Sequence, residues 1–350
     1  MKASRIIVSR TDNVGDVVLA LPMVGILREH LPSSDILFLG RSYTRAVIES
    51  CEHVDGFLNW DDVSTQDGEV QAAFLREQDA DVIIHVFPHQ AIAAAARRAR
   101  IPSRIGSARR GHHLLNCNRR VNFTRRKSDL HEAQLNVKLL QPLGFKNVPS
   151  LAELTSYYGL TKLQPLREDL AAHLAAERLN LIIHPKTKGN AREWSLENFS
   201  RLMTSLPEDR YRIFVTGTED ELSVIGGQLP MDRPNVTSLL GQLNLGDLIA
   251  FISRADALLA NSTGPLHLAA ALGIHTIGLY APMRPRHPGR WSPVGTHAHA
   301  LVFDPSCERC RKRLDCTCIQ DIQPSAIQGI LEPLADHLGD LVGSRGGALT

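Results

Sequence analysis

The sequence predicts an α/β protein with two doubly wound domains. Short apolar, β-branched runs alternate with helix-like segments, a pattern typical of parallel strands joined by crossover helices. The alternation occurs in two consecutive series, and 350 residues are enough for two domains of ordinary size. Sheets of this kind bind ligands beyond the carboxyl ends of their strands. We therefore expect the active site in a cleft between two facing domains.

The first series begins at the amino terminus, and its last helix is stopped by Gly144. Residues 145–165 contain prolines and show no clear periodicity, so we place the interdomain linker there. The predicted strands are 5–8, 36–39, 54–58, 81–86 and 104–106, and the predicted helices are 17–30, 43–51, 71–78, 90–100 and 130–143.

The second series follows the linker and has the same alternation. We therefore predict an N-terminal Rossmann-like domain of residues 1–160 and a C-terminal Rossmann-like domain of residues 161–350. The predicted strands of this series are 179–184, 211–216, 257–260 and 276–280, and the predicted helices are 195–206, 219–229, 248–254 and 265–272.

The composition is that of an ordinary globular protein, with 43% hydrophobic and 22% charged residues. A formal net charge of only +2, with 5% aromatic residues, argues against nucleic acid as a partner. The amino-terminal apolar run is too short for a signal peptide, and no stretch approaches the ~20 apolar residues that span a bilayer. We expect a cytoplasmic protein that could meet a membrane-embedded acceptor as a peripheral protein at the inner membrane.

The first motif joins the strand at residues 5–8 to the helix that follows it. Gly15 permits a tight turn, and the helix start supplies free N–H groups and a positive dipole. Asp16 lies at this helix start, where a carboxylate could act as a general base. The alternative is that Asp16 only caps the helix, a position that aspartate favours.

The second motif, residues 184–195, again lies between a strand and a helix. Its Thr187 hydroxyl and the cations Lys188 and Arg192 suit a diphosphate group. The alternative is a solvated basic loop without a ligand.

The third motif, residues 261–273, opens a helix with hydroxyl groups. Ser262, Thr263 and Gly264 precede Pro265, which is tolerated in a first helical turn, and together they form an anion site on a helix N-terminus. His267 lies one turn into this helix and could donate to a phosphate, although a lone helical histidine is more often structural.

The fourth motif is the acidic stretch 219–221 after a strand of the second series. Glu219 could accept hydrogen bonds from ribose hydroxyls, as acidic residues do in dinucleotide-binding folds. The alternative is that these acidic residues only favour a helix start.

These four stretches, in this order, resemble the heptosyltransferases of glycosyltransferase family 9. The likeness extends from Ile6 to about Ile330. Its most specific part is residues 262–270, which resemble the donor motif of that family. The other matching parts are residues 15–22, the Arg-Glu-Trp and Glu-Asn-Phe triplets within 192–199, and the Cys-x-x-x-Ile stretch 318–322.

The resemblance implies the GT-B architecture, no cofactor, and a metal-independent inverting transfer from ADP-heptose to the lipopolysaccharide inner core. It implies that Asp16 is the base that deprotonates the acceptor hydroxyl. Ser262 stands where many members carry an aspartate, and Arg192 where they often carry lysine. The donor-binding residues that it implies are Thr187, Lys188, Arg192, Glu219, Ser262, Thr263, Gly264 and His267.

Basic residues cluster within 97–127, in the half of the chain that we expect to bind the acceptor. Clustered arginines suit the carboxylates and phosphates of an anionic lipid-linked or polysaccharide acceptor. The alternative is a solubilising surface. The arginines assigned to the acceptor are Arg104, Arg109, Arg110 and Arg120, and the other basic residues of the cluster are Arg97, Arg98, Arg100, Arg119, Arg125, Arg126 and Lys127.

Four of the six cysteines lie close together, at Cys307, Cys310, Cys316 and Cys318. They could hold a structural zinc ion, but the one-residue spacing of the second pair is unusual for such a site. We interpret them as packing or redox-labile residues and expect no metal site.

Two other functions are compatible with the same motifs. A nucleotide-sugar epimerase would bind a UDP-sugar and turn it over without any lipid acceptor. A non-catalytic nucleotide-sugar-binding protein would bind ADP without transferring a sugar, and the presence of Asp16 argues against it.

Overall fold

The computed structural model describes residues 5–125, 128–187, 189, 191–312 and 314–338. Contacts divide the chain into two compact units, Met1–Leu163 and Gln164–Thr350. Each unit contains one six-stranded sheet in which all paired neighbours are parallel. The predicted α/β class, with two Rossmann-like units, is confirmed.

The N-terminal sheet has the strand order β3-β2-β1-β4-β5-β6. Its strands are β1 Arg5–Ser9, β2 Asp35–Gly40, β3 Gly56–Asn59, β4 Val82–His85, β5 Ser103–Ser107 and β6 Arg119–Val121. The helices are α1 Val14–Val18, α2 Leu21–His30, α3 Arg45–Glu49, α4 Gly68–Arg76, α5 Gln90–Arg98, α6 Gly111–Asn116, α7 Glu132–Val137 and α8 Leu151–Leu154, and the 3-10 helices are Ser42–Thr44, Trp60–Asp62, Lys138–Leu143 and Thr155–Tyr157.

The C-terminal sheet repeats this topology, with the order β12-β11-β10-β7-β8-β9. Its strands are β7 Leu179–His184, β8 Tyr211–Val215, β9 Val236–Ser238, β10 Ala257–Asn261, β11 His275–Leu279 and β12 Ala298–Leu301. The helices are α9 Glu168–Ala171, α10 Leu196–Ser205, α11 Glu219–Ile225, α12 Leu245–Ile252, α13 Gly264–Ala271, α14 Pro288–Trp291, α15 Glu308–Arg311 and α16 Pro324–Asp336, with a 3-10 helix at Cys318–Asp321.

In both sheets the strand order changes direction next to the first strand. In the N-terminal unit the reversal lies between β1 and β4, and in the C-terminal unit it lies between β7 and β10. At such a switch point the loops leave in opposite directions and open a crevice at the carboxyl ends of the strands. The motifs after β1, β7 and β10 therefore lie at the places where these sheets can bind ligands.

The central strands are buried in the cores, which explains why their sequences are continuous apolar runs. All four residues of β4 are buried, because helices cover both faces of a parallel sheet. On one face of the N-terminal sheet, Ile83 packs in a cluster with Leu75 of α4 and Ile92 of α5. In the C-terminal unit, Phe199 of α10 and Leu331 of α16 belong to one buried cluster with the sheet.

Several predicted elements differ from the structure for identifiable reasons. The helix predicted at 17–30 is two helices, α1 and α2, because Pro22 lies in the first turn of α2 and starts a new helix. The edge strands β6, β9 and β12 were not predicted, since they are short and partly exposed and lack an apolar run.

The segment predicted to be the linker is largely packed into the N-terminal unit. Leu154 and Tyr158 are buried, and the 3-10 helix that follows α8 lies against α2. Gly25 of α2 permits this approach, because a Cβ atom there would clash with the Tyr157 carbonyl oxygen. Among the helices of the described residues, none is long and apolar enough to cross a membrane.

Candidate active site

Asp16 occupies the first turn of α1, directly after the carboxyl end of β1. It is the third residue of the helix, whose N-cap residue is Asn13, so the interpretation of Asp16 as the N-cap is wrong. Its side chain is 15% exposed, and Oδ2 accepts a 3.3 Å hydrogen bond from the Asn13 side-chain amide. The carboxylate therefore lies at the switch point of the sheet and is open to solvent on one side.

A buried arginine forms an ion pair with this carboxylate. Arg10, which follows β1 and is 2% exposed, donates from Nη2 to Asp16 Oδ1 at 2.5 Å. The same guanidinium binds both carboxylate oxygens of Asp12, at 2.8 and 3.1 Å. The bidentate pair with Asp12 fixes the plane of the Arg10 guanidinium. The Nη2 group that binds Asp16 Oδ1 therefore has a fixed position as well.

The far side of Arg10 is anchored in α7. Its Nη1 donates to Asn136 Oδ1 at 3.0 Å and lies 3.5 Å from Glu132 Oε1. Arg125 Nε binds the same Glu132 oxygen at 2.8 Å, and Asn136 donates to the carbonyl of Leu19 at 2.9 Å. Three carboxylates thus share two guanidinium groups in a nearly closed pocket.

Burial and the neighbouring opposite charges shift the pKa values of this cluster in opposite directions. Burial alone would lower the pKa of Arg10, but the carboxylates of Asp12, Asp16 and Glu132 raise it above its ordinary value. Burial raises the pKa of Asp12 to about 6, with a further contribution from Asp16, although Arg10 opposes the shift. Asp12 consequently titrates closer to neutrality than an ordinary aspartate.

A buried histidine lies at the same edge and was not predicted as a site residue. His85 ends β4 and pairs in register with Ser9, the last residue of β1. Burial lowers the pKa of His85 to about 3, so the imidazole is neutral at physiological pH. Neither ring nitrogen has a hydrogen-bond partner among the described residues. The signal in the sequence was one polar residue interrupting the apolar run 82–86.

The four arginines assigned to the acceptor occupy different places in the N-terminal unit. Arg109 and Arg110 are exposed and follow the carboxyl end of β5, the edge that also carries Asp16. Arg120 lies in β6 and donates to the Leu114 carbonyl at 2.9 Å. Arg104 lies near the amino end of β5, and its guanidinium donates to the carbonyls of Asn116 and Ile101. The structure thus separates Arg104 from Asp16.

In the C-terminal unit, three predicted motifs meet at one edge of the sheet. They follow the adjacent strands β10, β7 and β8. Asn261 ties the first two together, because its amide donates to the Pro185 carbonyl at 2.6 Å and accepts from Trp194 N at 2.8 Å. His184 Nδ1 lies 3.0 Å from Thr216 Oγ1, which joins the end of β7 to the end of β8.

The third motif forms the start of α13, as the sequence predicted. Thr263 is the N-cap residue, its side chain makes no capping hydrogen bond, and Gly264 is the first helical residue. Ser262, Thr263 and Gly264 are half-buried, whereas His267 is buried one turn further along the helix. The helix start therefore faces the carboxyl edge, where its dipole favours an anion.

A pocket of about 650 Å³ lies between the second motif and the acidic stretch of the fourth motif. Its lining residues in the described part of the chain are Lys186, Gly189, Ala191, Glu193, Thr218, Asp220 and Glu221. Lys186, which was not assigned to the site, forms an ion pair with Glu193. The Thr187 hydroxyl donates to the same carboxylate at 2.9 Å. Glu193 therefore positions both the lysine and the threonine.

The remaining donor residues have other positions. Arg192 donates to the carbonyls of Leu314 and Cys316, which belong to a loop near the C-terminus. Glu219 is exposed at the start of α11, beside Gly241, and does not line the described part of the pocket. Lys188 lies outside the described residues.

The Trp and Asn-Phe residues of the second motif are structural. Trp194 is buried, stacks edge-to-face on Phe199 and donates from Nε1 to the Ile322 carbonyl at 3.0 Å. Asn198 donates to the Gln320 carbonyl at 3.0 Å. The two sequence motifs 192–199 and 318–322 are therefore the two sides of one contact.

We expect Arg10→Met to destabilise the protein by about 3–5 kcal/mol, because it leaves buried carboxylates without their cation. Arg41→Met is the matched control. Arg41 is also paired with an aspartate, but its side chain is 49% exposed against 3% for Arg10. The Arg41→Met substitution should therefore lower the free energy of unfolding by at most about 1 kcal/mol. Urea unfolding of the two variants gives both values, and equal losses would contradict the role assigned to Arg10.

Comparisons with known proteins identify the family of this chain. Residues 72–318 match the model of glycosyltransferase family 9 (heptosyltransferase). A Haemophilus influenzae protein with a provisionally ascribed glycosyltransferase activity is 27% identical over 312 residues, covering 86% of this chain and 89% of its own. Lipopolysaccharide heptosyltransferase 3 of Escherichia coli is 22% identical over 279 residues, covering 76% and 80%.

Solved structures show the same fold. A family 9 glycosyltransferase of Veillonella parvula superposes with a TM-score of 0.74 at 17% identity and covers 96% of this chain and 100% of its own. The ADP-heptose lipopolysaccharide heptosyltransferase II of Escherichia coli also gives 0.74, at 18% identity, covering 95% and 99%. The resemblance noted in the sequence is confirmed: the chain belongs to glycosyltransferase family 9 and is a glycosyltransferase of the GT-B fold class.

Proposed function

We propose that this enzyme transfers heptose from ADP-heptose to the lipopolysaccharide inner core, with inversion at the anomeric carbon. Family membership supports heptosyl transfer, and the names of two matched proteins include lipopolysaccharide and ADP-heptose. The observation that carries the proposal is the carboxylate of Asp16, fixed by the buried Arg10 at the switch point of the N-terminal sheet.

Asp16 acts as the general base in this proposal. Arg10 holds Oδ1, while Oδ2 has only the long bond from Asn13 among the described contacts. Oδ2 is therefore the oxygen that accepts the proton of the acceptor hydroxyl. The acceptor oxygen then attacks the anomeric carbon from the face opposite the diphosphate, the glycosidic bond forms, and ADP leaves.

The donor is bound at the carboxyl edge of the C-terminal sheet. We propose that the start of α13, with Ser262, Thr263 and Gly264, binds the diphosphate through its backbone N–H groups. Lys186 and Arg192 supply positive charge to the leaving group, which lets the transfer proceed without a metal. His267, which is buried one turn further along the helix, is proposed to belong to the same donor site.

One donor assignment requires a side chain to change its hydrogen-bond partner. Thr187, whose hydroxyl is held by Glu193, would contact the diphosphate only after releasing that bond. Lys188 is proposed to contact the same diphosphate. Glu219 is proposed to bind the adenosine ribose, and its exposed position at the start of α11 leaves its carboxylate accessible.

The acceptor is bound by the N-terminal unit in this proposal. Arg109 and Arg110 are exposed at the carboxyl edge of the sheet, where they can pair with the phosphates and carboxylates of an anionic glycan. Arg120 belongs to the same surface through its bond to the Leu114 carbonyl. The position of Arg104 at the opposite edge supports a structural role instead.

Asp16→Asn should lower kcat by about 10²–10⁴-fold, because the amide cannot accept the proton. ADP affinity should stay unchanged, since the donor site lies in the other unit. We would measure ADP release with ADP-heptose and a heptose-deficient core lipid, together with ADP binding by calorimetry. Glu49→Gln, which changes an exposed carboxylate on α3, is the control and should behave as wild type. Full activity of Asp16→Asn would refute the base assignment.

Two exposed leucines lie beside arginines of the basic cluster. Leu114 and Leu115 of α6 are 54% and 73% exposed. Arg120 and Arg97 donate to the carbonyls of these two leucines, so cationic groups flank the apolar ones. Apolar side chains surrounded by arginines suit an anionic lipid surface, on which we propose that the enzyme meets its lipid-linked acceptor.

Replacing both Leu114 and Leu115 by serine should lower the affinity for anionic phospholipid vesicles at least tenfold, because two apolar side chains that would insert into the lipid are lost. The affinity is measured by co-sedimentation with the vesicles. The control pair is Leu222→Ser with Val224→Ser on α11, whose exposures are similar at 46% and 45%. That helix carries acidic residues in its first turn and should not bind such vesicles. Equal effects of both pairs would contradict the membrane surface.

A further inference from the structure

The four clustered cysteines lie on two short segments of the C-terminal unit. Cys307 and Cys310 belong to the first turn of α15 and its N-cap position. Cys316 lies in the irregular segment after α15, and Cys318 opens the 3-10 helix that follows. All four are free thiols, and Cys310 and Cys318 are buried.

The four sulfur atoms form one compact group. Cys307 Sγ lies 3.5 Å from Cys316 Sγ, Cys310 Sγ lies 3.3 Å from Cys318 Sγ, and all four atoms lie within 4.8 Å of one another. In a tetrahedral zinc site with Zn–S bonds of about 2.3 Å, the sulfur atoms are about 3.8 Å apart. The observed distances match that arrangement with shifts of a fraction of an ångström to about one ångström.

The unusual spacing of the second pair does not prevent this geometry. The chain turns at Thr317, whose φ of −100° and ψ of 7° are not those of a strand, and this turn leaves the sulfur atoms of Cys316 and Cys318 within 4.8 Å of the first pair. The spacing alone had argued against a metal site, whereas the three-dimensional arrangement supports one. Four soft thiolates at tetrahedral separation favour a single zinc ion over magnesium or calcium, which take oxygen ligands.

In the segment around the cysteines, the part that precedes Cys318 buries few apolar side chains, whereas Ile319 and Ile322 after it belong to the buried core of the C-terminal unit. α15 and the 3-10 helix have four residues each, and Phe303 and Leu314 are 56% and 51% exposed. Short segments with so few buried apolar side chains commonly depend on a metal or a cross-link.

The cysteine loop, residues 307–322, supports the donor motif through a series of hydrogen bonds. Arg192 donates to the carbonyls of Leu314 and Cys316. Gln320 donates to the Glu193 carbonyl and accepts from Ser195 N, both at 2.7 Å. Glu193 in turn holds Lys186 and Thr187. The position of the loop thus determines where the basic residues of the donor motif lie.

We propose that Cys307, Cys310, Cys316 and Cys318 bind one zinc ion as four thiolates, and that this ion fixes the loop on which Arg192 and Glu193 rest. Binding releases the thiol protons to solvent and involves no oxidation or reduction. The ion is structural, since four protein ligands leave no open coordination position for a substrate. Its effect on donor binding rests on the proposed function, whereas the site itself does not.

The first test is elemental analysis of the full-length protein, purified without chelators. We expect about one zinc per chain in the wild type and less than about 0.1 in Cys310→Ser and Cys316→Ser. Cys51→Ser and Cys117→Ser, which change buried free cysteines of the N-terminal unit, are the controls and should keep the zinc. One iron per chain would overturn the choice of zinc, and the absence of any transition metal would overturn the site.

Cobalt substitution tests the ligand set without a variant that could misfold. After zinc is exchanged for Co²⁺ in the wild-type protein, four-thiolate coordination should give the intense sulfur-to-cobalt charge-transfer and d–d bands of a tetrahedral site. A weak octahedral spectrum would contradict the four-cysteine assignment.

The link to donor binding is tested by removing the metal from wild type and from Arg192→Ala. Removal should weaken ADP binding about tenfold in the wild type, because Arg192 loses its fixed position, and should have little further effect in Arg192→Ala. Equal losses in both proteins would refute the positioning role. Zinc bound stoichiometrically in a protein that does not bind ADP would leave the metal site intact and refute the proposed donor instead.

Discussion

The candidate catalytic centre depends on one buried guanidinium. Arg10 is surrounded by Asp12, Asp16 and Glu132, and it can stay buried only because these carboxylates compensate its charge. In return, Asp16 has a fixed partner and a fixed direction, which a carboxylate on a solvated helix start would lack. The main structural role of this ion cluster is therefore to fix the position of the Asp16 carboxylate oxygen that Arg10 binds.

In the proposed function the C-terminal unit has a different task, which is to bind a nucleotide diphosphate and to stabilise its charge as it leaves. Parallel strands bring the loops after β7, β8 and β10 to one edge, and Asn261 joins two of them. Glu193 then holds Lys186 and Thr187, while the cysteine loop holds Arg192. The proposed donor site is thus positioned by residues that need not touch the donor.

Much of this arrangement could be predicted from local sequence patterns. The switch-point turn with Asp16 and the helix start at Thr263 have short-range signals, namely a strand, a glycine and a helix. The partners of these residues have no such signal. Arg10 and Glu132 are 122 positions apart, and Arg192 meets a carbonyl 124 positions away, so only the folded chain reveals them. For the same reason the spacing of the cysteines did not predict how close their sulfur atoms lie, because this proximity depends on how an irregular segment returns to α15.

In the proposed function the two units divide the reaction, with donor binding in one and acceptor activation in the other. A crystal structure with ADP bound tests it most directly. We expect the diphosphate at the start of α13, within hydrogen-bonding distance of the Gly264 backbone N–H and beside Lys186. A diphosphate at the carboxyl edge of the N-terminal sheet, next to Asp16, would contradict this division.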